Sequence, residues 1–160
     1  NNEEFNIATL EALKCWGGSL STNFFKKILR EPEQTKRLAG LELLKFKAYQ
    51  LDDNDLLELT KDLLNDFRDP IVIATIKILQ RRDSIAISNL IIKIAQTGSN
   101  TVAHAAIMAL GGIGTKNSYE GLMKLSQQLP IGMRRDLAQK QLDNQYRFSN
   151  KPQIANFKGR

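Results

Sequence analysis

A cationic side chain returns at a near-constant interval along this 160-residue chain: Arg30, Lys61, Lys93 and Lys124 stand 31, 32 and 31 residues apart. Each follows an apolar residue two places earlier: Ile28, Leu59, Ile91 and Leu122. Leu13, Leu44, Leu79 and Leu110 keep a related beat, each closing an apolar helical pattern. Self-similarity at this period is the mark of stacked helical units, because one such unit cannot bury its apolar face alone. The expected fold is therefore all-α.

The helical period accounts for nearly every segment, and none reads convincingly as a strand. Four helix pairs are expected: 3–15 with 21–30, 33–48 with 53–66, 70–82 with 84–97, and 101–111 with 118–129. One further helix, 131–146, completes the series. Pro32, Pro70 and Pro130 are read as opening the first helices, where a missing N–H costs nothing. Asp69 is the expected cap before Pro70. Ser21, Ser84 and Ser118 stand near the starts of second helices, where a hydroxyl can accept from an orphan N–H. Gly17-Gly18 is read as ending the first helix. Residues 1–146 thus form the repeat domain, and the polar residues 147–160, with Pro152 and Gly159, read as an extended basic tail.

The core follows from the same phase. First helices should bury Leu10, Leu13, Leu41, Leu44, Ile76, Leu79, Ile107 and Leu110. Second helices should bury Phe25, Ile28, Leu56, Leu59, Leu63, Leu90, Ile91, Ile94, Leu122 and Leu125.

The segment from Val102 to Gly114 resembles the first helix of a HEAT-like repeat, whose pattern runs V-R-x-x-A-A-x-A-L-G-x-I-G. Val102, Ala106, Ala109, Leu110, Gly111, Ile113 and Gly114 match, and Ala103 stands where the family has Arg. Asp69-Pro70 opening the preceding unit is similar to another habit of these repeats. The resemblance covers roughly residues 3–146 and implies an α-α superhelix, a HEAT/ARM-like solenoid of about four antiparallel helix pairs plus a C-terminal helix. It also implies that second helices line a concave binding face, along which Arg30, Lys61, Lys93 and Lys124 would stack as a ridge.

Charge is distributed unevenly. Residues 1–80 carry 11 Lys/Arg against 13 Asp/Glu, whereas residues 81–160 carry 12 against 4. Such an asymmetry directs an anionic partner to the second half. Arg81, Arg82, Arg134, Arg135, Lys140 and Arg147 form a second candidate binding set there, continued by Lys151, Lys158 and Arg160 with Tyr146, Phe148 and Phe157 interleaved.

Chemistry is harder to find than binding. Cys15 and His104 are the only residues of their types, which excludes an internal disulfide, a Cys-based zinc site and a multi-histidine metal site. Gly111-Gly112-Ile113-Gly114 follows a helix and lacks the Lys-Ser/Thr ending of a phosphate loop. No enzyme, metal or cofactor is expected. The acidic start Asn1-Asn2-Glu3-Glu4 does not read as a signal peptide and no run is long enough to span a membrane, so the compartment is read as cytoplasmic. The expected function is a non-catalytic scaffold binding a protein or peptide on its concave face. Nucleic-acid binding through the basic half is the alternative. A third reading, by fold analogy alone, is similarity to HEAT-like bilin lyases and related accessory factors.

Overall fold

A computed structural model describes residues 6–158, with side chains described for residues 6–145. Nine α-helices and no strand occur among the described residues: α1 Ile7–Cys15, α2 Thr22–Ile28, α3 Gln34–Lys47, α4 Asp53–Thr60, α5 Asp69–Leu79, α6 Ile85–Thr97, α7 Asn100–Ile113, α8 Lys116–Gln128 and α9 Met133–Lys158. The chain divides into two compact units, Asn1–Leu79 and Gln80–Arg160.

Within the first unit, α1 packs on α3, α3 on α5, and α2 on both α3 and α4. The 31-residue period is visible in the capping residues. The Ser21 side chain accepts from Phe24 N–H at the start of α2, and Asp52, 31 places on, accepts from Asp55 N–H at the start of α4. Leu10 and Leu41, Phe25 and Leu56, and Ile28 and Leu59 are equivalent pairs, all buried. Leu44, Leu63, Ile76 and Leu79 complete the expected core of this unit, while Leu13 is only half-buried.

In the second unit, α6 packs on α7 and α8, and α9 packs on α7 and α8. Here α6 and α8 are both 13 residues long and begin 31 residues apart, behind Ser84 and Thr115. Ile91, Ile94, Ile107, Leu110, Leu122 and Leu125 are buried as expected, and Leu90 is half-buried. The Thr115 cap works reciprocally: its hydroxyl accepts from Ser118 N–H, and Ser118 Oγ accepts from Thr115 N–H. Ser118 is therefore the third residue of α8, inside the first turn.

Several boundaries differ from the sequence expectation. Pro32 and Pro130 lie outside α3 and α9, which begin at Gln34 and Met133, and Asp69 is the first residue of α5. The chain leaves α1 through Trp16 in extended conformation, not through a left-handed Gly17; the left-handed glycine is Gly114, at φ 68°, after α7. The helix 53–66 is broken at Thr60, whose buried hydroxyl donates back to Leu56 O at 2.7 Å, a bond that bends helices. Residues Lys61–Asn65 tighten into a 3-10 segment there.

The expected extended tail is also revised, since α9 runs to Lys158. The helix begun at Met133 against α7 and α8 continues past the residues that pack there. Arg147, Lys151 and Lys158 fall on this backbone, while their side chains and all of Arg160 lie outside the described residues.

Candidate functional site

The outward face of α6 and α8 is the most distinctive surface in the second unit. Short links at Gly98-Ser99 and Gly114-Thr115 reverse the chain around α7, so α6 and α8 point the same way and lie against each other. Their contact is tight at Gly121, where an added Cβ would fall 2.7 Å from Ile92 Cδ1. Each helix buries one stripe: Ile87, Ser88, Ile91, Ile94 and Ala95 on α6, and Ser118, Gly121, Leu122, Leu125 and Ser126 on α8.

The opposite stripes are exposed and equivalent under the 31-residue shift. Asn89, Lys93 and Gln96 on α6 correspond to Glu120, Lys124 and Gln127 on α8. Positions i, i+4 and i+7 share a helix face. Packed helix axes lie about 8–10 Å apart, so Lys93 and Lys124 are close neighbours, each next to or one turn from the Ile92–Gly121 contact. Neither has a carboxylate within ion-pair distance among the described residues. Glu120, the single acid on these two helices, lies 3.9 Å from Lys116.

The first half of the cation series has a different setting. Arg30 lies in the turn after α2, and Lys61 begins the 3-10 segment after α4, so neither is on a helix body. Lys61 is 3.0 Å from Glu58, and its hydrogen bond and charge hold the Glu58 carboxyl below the usual carboxylate range, with Lys26 adding to the effect. Lys26 on α2 thus lies close enough to α4 for its charge to act on Glu58. Of the four cations in the series, Lys61 is the one with an ion pair among the described residues, and Lys93 and Lys124 are the two on helix bodies.

The second basic set is dispersed. Arg134 is engaged in structure: its guanidinium donates to Ala95 O at 3.2 Å, Gln96 O at 3.3 Å, Gly98 O at 2.7 Å and Asn100 Oδ1 at 3.1 Å. It satisfies orphan carbonyls at the C-terminus of α6, where a cation also complements the helix dipole. Gln145 does the same for α7, its Nε2 donating to Leu110 O at 3.2 Å and Gly111 O at 3.1 Å. Arg135 is half-buried on α9, Lys140 is exposed on α9, Arg81 is exposed between α5 and α6, and Arg82 is half-buried beside it.

Two charged features escaped the sequence reading. Asp66 is gripped by two arginines: Arg68 Nε and Nη2 each lie 2.9 Å from a carboxylate oxygen, and Arg37 Nη1 lies at 2.8 Å. The same arginines reach the α2–α3 link, Arg37 donating to Glu31 O at 2.7 Å and Arg68 to Pro32 O at 2.8 Å. The hydrogen bond from Arg68 leads the effects that lower the Asp66 pKa to about 2. Lys47, 3% exposed, donates its ammonium to Trp16 O and, at 3.4 Å, to Gly18 O. The only signal for either was the repeat itself, since Arg37 and Arg68, like Trp16 and Lys47, stand 31 residues apart.

Cys15 and His104 are exposed on α1 and α7. No group of three potential metal ligands occurs among the described residues, and no helix is long and apolar enough to cross a membrane. No family model, curated protein or solved structure matches the chain.

Proposed function

We propose that the chain is a non-catalytic helical-repeat module of the HEAT-like kind, which binds a protein partner through the outward face of α6 and α8. The observation that carries this reading is the pair Lys93 and Lys124, exposed, without an ion pair among the described residues, and at equivalent positions of two helices in contact at Gly121. Exposed charges of this kind steer an oppositely charged partner and fix its register. A protein partner is favoured over single-stranded nucleic acid because such binding uses aromatic platforms for base stacking. On α6 and α8 the single aromatic residue is Tyr119, which is half-buried.

The test is affinity capture from extract with the wild-type chain and with K93E/K124E, each with and without nuclease. The reading expects a nuclease-resistant set of proteins that is lost with the double substitution. An unchanged set, or one abolished by nuclease, would overturn it. K26E/K27E, on α2 of the first unit, serves as the control for the charge change. Both double variants should keep the wild-type unfolding midpoint, because all four lysines are exposed.

A further inference from the structure

We infer that the α6/α8 face takes an extended acidic peptide segment whose carboxylates stand two residues apart and whose main chain is held by side-chain amides. The inference rests on the reading of that face as the binding surface, and it names the ligand. Three features of the face carry it.

The first is the type of cation. Neither α6 nor α8 contains an arginine, so the face offers ammonium groups and no planar fork. Arginine is the residue suited to bidentate phosphate recognition, whereas a lysine acts as a point charge that a single carboxylate can meet. The second is the polar company. Asn89 and Gln96 on α6, and Gln127 and Gln128 on α8, are exposed carboxamides flanking the lysines. A carboxamide carries both donors and an acceptor, the complement of a peptide N–H and C=O. A phosphodiester backbone has no donor to offer in return.

The third is spacing. Lys93 and Lys124 sit on neighbouring axes about 8–10 Å apart. An extended chain rises about 3.3 Å per residue and alternates its side chains between two faces, so side chains two positions apart share a face and stand roughly 7 Å apart, within reach of two flexible lysine stems. Such a segment would cross the two helices, with one carboxylate on each lysine. The main chain between them then passes over Gln96 and Gln127, one turn beyond the lysines on both helices.

The experiment is an NMR titration of the whole chain with short synthetic peptides, each holding two glutamates in a neutral background, at low and at physiological salt. Pairs two apart should bind at least about threefold tighter than pairs three or six apart, and replacing both glutamates by glutamine should weaken binding about tenfold, the scale of exposed charge pairs. Shifts should centre on α6 and α8 and vanish in K93E/K124E. N-methylation of the amides between the glutamates should weaken binding with the charges untouched. Equal binding at every spacing, or no response to N-methylation, would overturn the inference. A duplex or single-stranded oligonucleotide is titrated in parallel. Oligonucleotide binding lost in K93E/K124E, with no peptide binding, would overturn the acidic-peptide inference and leave the face as a binding surface. Silence from both ligands, together with an unchanged capture set, would remove the face altogether.

Discussion

Replacing Asp66 by Asn tests whether a few charged groups hold the corner between the two repeats of the first unit. The Asp66 carboxylate is 5% exposed and accepts from Arg37, from both ends of the Arg68 guanidinium and from the Arg68 backbone N–H. Its pKa falls from 3.8 to about 2 in the folded chain. Each pKa unit corresponds to about 1.4 kcal/mol, so the ionised form contributes about 2 kcal/mol at neutral pH. Because the folded value is the lower one, that contribution is complete above the unfolded pKa and is lost as pH falls from about 4 towards 2. Asp66→Asn should therefore lower stability by about 2–3 kcal/mol at pH 7, the amide also presenting donors to the arginines. At pH 3 roughly half of the ionic contribution has gone, and the gap between variant and wild type should shrink accordingly. Trp16 is the only tryptophan in the chain and belongs to the same unit. Urea unfolding followed by its fluorescence thus reads the relevant core. A gap that stays constant between pH 7 and pH 3 would refute the reasoning, as would a variant as stable as the wild type.

Two further comparisons probe the second unit by urea unfolding followed by circular dichroism. Arg134→Met should cost about 1–3 kcal/mol by stranding the carbonyls that end α6, while Arg135→Met should change stability by less than about 0.5 kcal/mol; equal effects would show that the clamp is idle. Gly112→Ala, inside α7 with open space around an added Cβ, should stabilise by about 0.5–1 kcal/mol, whereas Gly114→Ala, at φ 68°, should destabilise by about 1–2 kcal/mol. The same sign for both would mean that α7 does not end at a left-handed residue.

The sequence by itself determined which segments are helical and which stripe of each is buried. Leu10, Leu41, Phe25, Leu56, Ile91 and Leu122 are buried because a helix presents residues three and four apart on one face, a property of the chain within a single turn or two. The caps Ser21 and Ser84 were legible for the same reason, their partners being three residues away. Lys93 and Lys124 could be picked out by spacing, but the amides beside them could not, since isolated Asn and Gln residues form no pattern until two helix faces are aligned. The contrast between Lys61 and Lys93 was already local, since Glu58 stands three residues before Lys61 and Asp62 follows it, while no acid stands within four residues of Lys93. Tertiary structure decided which charged groups are built into the core. It made Lys47, Asp66 and Arg134 structural, because their carbonyl and guanidinium partners include groups 29 to 39 residues away. For these three groups a partner within about 4 Å is brought by the helices that meet, and no local spacing along the chain announces it.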